Sequence, residues 1–163
     1  MKPVPALAPA AAPKLPVSVL VVIHDAELNV LLLERAAHPG YWQSVTGSPD
    51  APDEPLAHAA AREVAEETGL VADGGLRDWH LVNEYEIYPT WRHRYAEGVW
   101  KNVEHVFSLQ VPRAAPVRLA EREHRAWLWL PWRDAAAKCF SESNAQAIEQ
   151  LPRRLGGPAG AGR

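Results

Sequence analysis

Apolar residues in this chain fall into short blocks with different spacings, and each block predicts an element. Val17-Ser18-Val19-Leu20-Val21-Val22-Ile23 is β-branched and almost wholly apolar, the pattern of a strand buried on both faces. Turn chemistry over Asp25 to Asn29 separates it from a second strand, Val30 to Arg35. Pro39-Gly40 breaks the chain, and Trp42 to Thr46 predicts a third strand ending at Gly47. A helix follows, with Asp53 as its cap and Pro55 in its first turn. Ala57, Ala60, Ala61 and Val64 give it a small-residue inner face, and Gly69 closes it as a left-handed residue. Beyond the turn at Asp73-Gly74-Gly75, strands are expected over Trp79 to Tyr88, Val103 to Val111 and Ala126 to Leu130. In the last of these Trp127, Leu128, Trp129 and Leu130 read mostly as core. One short helix starts near Pro131 and another runs from about Ser143 to Leu151. This order predicts an α/β (α+β) fold, a mixed sandwich.

Composition divides the chain. Its 163 residues suit one domain. Pro3, Pro5, Pro9, Pro13 and Pro16 sit among alanines, a segment with little to bury and no regular ladder to donate. Residues 1–15 are therefore expected to be a flexible arm, 16–151 the folded domain and 152–163 a flexible tail. The longest apolar run, Val17 to Ile23, is far short of the ~20 residues of a bilayer span, so no membrane partner is expected. No secretory signal follows Lys2. Cys139 is the only cysteine, which excludes a disulfide framework, suggests the cytoplasm and reads as a small buried hydrophobe. The net charge of −3 argues against a nucleic-acid polymer as partner.

Candidate chemistry concentrates on the first helix. It carries Glu54 and, after seven residues, Arg62-Glu63-Val64-Ala65-Glu66-Glu67-Thr68-Gly69-Leu70. Glu67 lies about 40° round the helix from Glu63, and Glu66 about 60° the other way. Three carboxylates are thus expected on one face, opposite the alanines, with Arg62 beside them to hold one in place. Hard oxygens at this density suit Mg²⁺ or Mn²⁺ bridging a substrate's phosphates. A solvated acidic face is the ordinary alternative.

The full spacing resembles the Nudix box, Gly-x5-Glu-x7-Arg-Glu-U-x-Glu-Glu-x-Gly-U with U aliphatic. Every defined position from Glu54 to Leu70 matches; six residues rather than five separate Gly47 from Glu54, so the extra residue falls in a loop. The resemblance implies an α/β/α sandwich around a mixed sheet and metal-assisted hydrolysis of a diphosphate linkage. It also implies Glu63, Glu66 and Glu67 as metal ligands and catalytic carboxylates, with Arg62 orienting a glutamate.

Outside the box, Tyr41 to Ser48, Tyr85 to Tyr88, Arg92 to Ala96, Glu123-His124 and Ser143 to Glu149 are similar to the bacterial dihydroneopterin triphosphate pyrophosphohydrolases of folate synthesis. That likeness makes Glu123, rather than Glu121, the outer carboxylate, as metal ligand or general base. Lys14 and Arg35 become candidate phosphate contacts, and Thr46 a donor or a turn cap. Tyr85, Glu86, Ile87 and Tyr88 would hold a flat heterocycle, with Glu86 accepting from ring N–H groups; aromatic cross-strand pairing is the structural alternative. Ser141 is a substrate contact or a helix cap, and Arg92-His93-Arg94 a steering cluster or a charged strand edge. The implied partner is a small-molecule triphosphate. Hydrolysis of (d)NTPs or dinucleoside polyphosphates is the alternative, and a non-catalytic binding module of the same fold is the alternative of another class. The oligomeric state is not legible.

Overall fold

The computed structural model describes residues 12–155. Seven strands form one mixed sheet: β1 (Val17–His24), β2 (Asn29–Arg35), β3 (Trp42–Gln43), β4 (Val45–Gly47), β5 (Leu76–Glu86), β6 (Lys101–Gln110) and β7 (His124–Pro131). The helices are α1 (Leu56–Thr68), α2 (Trp132–Lys138) and α3 (Glu142–Leu155). The main path runs β3-β2-β1-β6-β5, with β4 on β1 and β7 on β2. Among the strands of the described residues, β1 and β6 alone pair in parallel.

Strand periodicity explains the layers. Val19, Val21, Ile23, Leu31, Leu33, Phe107 and Leu109 face one side and pack with Ala59, Ala60 and Val64 of α1. Leu20, Val22, Val30, Leu32 and Val106 face the other and pack with Ala135 of α2 and Ile148 and Leu151 of α3. The successive apolar residues of β1 thus feed two cores in turn, giving an α/β/α sandwich. Among the described residues no helix is long and apolar enough to cross a membrane.

Several local expectations are corrected. The third strand is two strands. After Gln43 the chain leaves β2 and joins β1, and the N–H of Ser44 goes to Asn144 Oδ1 of α3 instead of a ladder partner (2.8 Å), while Asn144 Nδ2 donates to Ser44 Oγ (2.9 Å). Helix α1 starts after Pro55 with no side-chain cap bond, so Asp53 does not cap it. Its buried face is Ala59, Ala60, Val64, Glu67 and Thr68, whereas Ala57 is exposed. Glu67 is therefore on the inner face: it stands seven residues, nearly two turns, after Ala60. Gly69 does close the helix, with φ 73°. β5 starts at Leu76, and Arg92-His93-Arg94 lie in a 3-10 helix, Pro89–Arg94, rather than on a strand. β7 pairs only with β2 among the described residues, which leaves Trp127 45% and Leu128 36% exposed; Trp129 and Leu130 reach the two cores.

Residues 1–11 of the expected arm and 156–163 of the expected tail lie outside the described residues. The described ends belong to the fold. Lys14 bridges to Tyr95 and gives its N–H to Arg94 O (2.8 Å), and α3 continues to Leu155.

Asn144→Ala should leave the Ser44 N–H buried without an acceptor and cost about 1–3 kcal/mol, read as a lowered urea midpoint at unchanged m-value.

Candidate active site

Arg62 organises the start of the site. Its Nε and Nη2 fork onto the two oxygens of Glu54, each at 2.9 Å. Nη2 also donates to Ser48 O (3.1 Å), and Nη1 to Glu63 Oε1 (3.0 Å) and Glu66 Oε2 (3.2 Å). Glu54 in turn accepts the N–H of Asp50 (2.8 Å) and gives its own N–H to Ala51 O (3.1 Å). The loop with the extra residue is thereby folded onto the helix. The Arg62 bonds and the Asp50 N–H hold the Glu54 carboxyl down at about 2, and its partners raise the Arg62 pKa in return. Glu66 stays largely exposed at the end of its Arg62 bond. Glu63 lies against Gly47, where an added Cβ would overlap the Glu63 carboxyl.

Glu67 is the unusual residue. It is 1% exposed, and neither carboxyl oxygen has a hydrogen-bond partner among the described residues. Burial first, then the charge of Glu63, pushes its pKa well above the usual range, and burial raises Glu63 as well. Glu123 and His124, at the start of β7, stand beside it, and one ligand atom from each of Glu67, Glu123 and His124 lies within 4.8 Å of the others. A register shift between Glu34 and Arg35 sets this up, because it places His124 opposite Arg35 and ends the pairing there. The Glu123 carbonyl accepts the N–H of Ala36 (2.9 Å), which fixes the turn. His124 Nε2 is 3.5 Å from Glu67 Oε1. Burial and Arg35 lower the His124 pKa to about 4, so at neutral pH the contact is not an ion pair.

Orphaned buried oxygens beside further carboxylates are short of positive charge. That donor set fits a hard divalent cation held by Glu63, Glu67 and Glu123, and a cation there would reverse the rise in carboxyl pKa.

A cleft opens beside this cluster. Its inner part, about 90 Å³, is lined by Lys14, Arg35, Thr46 and Tyr85; its outer part, about 440 Å³, by Tyr85, Glu86, Ile87 and Tyr88. Ser141 lines both and also accepts the N–H of Asn144 (3.4 Å) at the start of α3, so its two readings coexist. The Arg35 guanidinium lies over the Trp91 ring at 4.6 Å and donates to Gln43 Oε1 (3.1 Å). Burial, Arg94 and Arg35 lower the Lys14 pKa to about 8. Ile87 is 3% exposed, whereas Glu86 is exposed where it lines the outer part of the cleft. Tyr88 stacks on Trp91 (5.3 Å), and Tyr41 on Phe140 (4.7 Å). Burial raises the Cys139 thiol to about 12, consistent with an unreactive packing residue.

Sequence reading alone missed Trp91, Phe140, Asn102 and Glu104 in this cleft. A signal existed for the last two: both fall on the face of β6 that continues with the apolar Val106.

The NUDIX domain profile matches residues 14–151. The dihydroneopterin triphosphate diphosphatase of Escherichia coli (strain K12) is 45% identical over 142 residues, 85% of this chain and 93% of that protein. Its counterpart in Haemophilus influenzae is 36% identical over 137 residues, 82% of this chain and 85% of that protein. The solved structure of the E. coli dihydroneopterin triphosphate pyrophosphohydrolase superposes with a TM-score of 0.81 at 41% identity, covering 89% of this chain and 100% of that one.

Gly47→Ala should displace the Glu63 carboxyl and weaken Mn²⁺ binding by about tenfold or more, with thermal stability nearly kept; calorimetric Mn²⁺ titration checks it.

Proposed function

The chain belongs to the NUDIX family, and on that premise we propose that it is a divalent-metal-dependent hydrolase that splits 7,8-dihydroneopterin triphosphate into the monophosphate and pyrophosphate. The observation that carries this reading is the near-full-length similarity to enzymes named for that substrate, at 45% identity for the E. coli protein. The cleft agrees chemically: cations stand beside the carboxylate cluster, and aromatic walls suit a flat ring.

Residue roles follow from the geometry. Glu63, Glu67 and Glu123 are our candidate ligands for Mg²⁺, with Mn²⁺ as a substitute and Glu66 as an outer carboxylate of the set. When bound, the ion would neutralise phosphate charge and acidify a water. Attack of water on phosphorus breaks one anhydride bond, and a carboxylate of this set takes the proton. Arg62 is a positioning residue. Lys14 and Arg35 face the triphosphate, Thr46 donates to it, and Tyr85, Ile87, Tyr88 and Ser141 line the place of the ring. Retention of Glu63, Glu66 and Glu67 argues against a non-catalytic module. We read the protein as cytoplasmic and as an enzyme of folate synthesis, a reading that its single cysteine, Cys139, supports.

A panel with Mg²⁺, scored for pyrophosphate or the matching product, tests the substrate. Dihydroneopterin triphosphate should exceed dATP, 8-oxo-dGTP, ADP-ribose and a diadenosine polyphosphate in kcat/KM by about tenfold or more. A nucleotide ahead by orders of magnitude overturns the assignment.

Lys14 gives a pH test. With its pKa lowered to about 8, it is charged below that pH and neutral above, so affinity for a polyanion falls as pH rises through 8. The kcat/KM profile should show this descending limb, and Lys14→Arg, which keeps its charge, should remove it.

A further inference from the structure

The metal and phosphate roles leave unused polar groups at the other end of the inner cleft. Along β6, Asn102, Glu104 and Val106 share the face that packs toward α2 and α3. Val106 joins the core there, but Asn102 and Glu104 are polar and still 1% and 4% exposed. Their cross-strand neighbours are Tyr85 opposite Asn102, and Asn83 and Ser18 on either side of Glu104. Asn102 Nδ2 donates to Ser18 Oγ (2.7 Å) and Tyr85 Oη (3.1 Å). Asn102 Oδ1 and Glu104 Oε1 have no hydrogen-bond partner among the described residues. Both residues line the cavity that also holds Lys14 and Arg35. Two buried acceptors without donors are costly in the free protein, and a ligand that brings N–H groups relieves both.

We propose that Glu104, with Asn102 beside it, reads the hydrogen-bond-donor edge of a 2-amino-4-oxopyrimidine ring, the ring that pterins share with guanine. The inference rests on the reading above that the cleft takes a heterocyclic triphosphate. That ring presents a ring N–H and an exocyclic amino group side by side, two donors that a carboxylate can accept together. Adenine and cytosine place a ring nitrogen acceptor next to their amino group. Against Glu104 this sets acceptor on acceptor, so the same carboxylate selects and rejects. The polarity of the cleft sets the orientation. Lys14 feels the charges of Glu63 and Glu67, so the phosphates belong at that end. Tyr85 feels Glu104, and the ring belongs there, near Trp91 and Phe140. The exposed Glu86 is not needed for this contact.

A purely structural role would have Glu104 anchoring the start of α3, since Ser143 there and Asn83 of β5 offset part of the rise that burial imposes on its carboxyl. Two measurements separate the roles. In the unaltered protein, dGTP and dITP differ only by the 2-amino group. KM, or Ki against dihydroneopterin triphosphate, should be roughly 10–100-fold higher for dITP; equal values overturn the proposal. In Glu104→Gln, the ratio of kcat/KM for dihydroneopterin triphosphate over dATP should fall at least about tenfold, through KM, with Mn²⁺ binding kept. Equal losses on both substrates, or lost stability at an unchanged ratio, overturn it. If that variant does not fold, the dGTP and dITP comparison decides. A nucleotide winning the panel while dGTP and dITP stay distinguished defeats the substrate assignment and leaves this one standing. A pterin preference without that distinction does the reverse.

Discussion

The bonds of Arg62 are the constraint on which the site depends. One guanidinium ties Glu54, the Ser48 carbonyl, Glu63 and Glu66 together. Helix α1 has no side-chain cap, so this fork supplies much of what fixes its entry. The extra loop residue costs little because the loop is closed at both ends by Glu54 and Arg62. The arrangement also explains the glycine before the loop. Only a residue without a Cβ lets the strand end approach the Glu63 carboxyl so closely.

Unbalanced charge runs through the rest of the site. Glu67 sits on the buried face of α1 with both oxygens unpaired, an expense that an apolar side chain would avoid. Beside it, the neutral His124 and the acidic side chain of Glu123 do not compensate it. Lys14 and Arg35 sit further into the cleft, where burial first and then the charge of Arg94 lower the pKa of both. Buried carboxylates and buried cations thus stand side by side. In the function we propose, a metal ion with a polyphosphate would satisfy both groups at once.

Much of this was legible in the amino-acid sequence. Strand β1, the left-handed end at Gly69 and the helix carrying Arg62, Glu63 and Glu67 follow from short-range geometry, because helix periodicity fixes which residues meet within a few turns. Exposure was less legible. Trp127 and Leu128 look like core by composition, yet an edge strand has too little around it to bury them. Asp53 looked like a cap because its type suits one, and the helix begins elsewhere.

The sequence by itself determined the acidic helix and the resemblance to the family, since both rest on local spacing, and the resemblance implied the sandwich. Tertiary structure decided which carboxylates belong together. It turned Glu67 inward beside Val64, brought Glu123 and His124 to it through a register shift in β7, and left Glu66 outside. It also broke the third strand at Ser44, through Asn144 of a helix a hundred residues away, and placed Glu104 in the cleft. Such contacts join distant segments, and whether a polar residue is buried without a partner depends on everything packed around it.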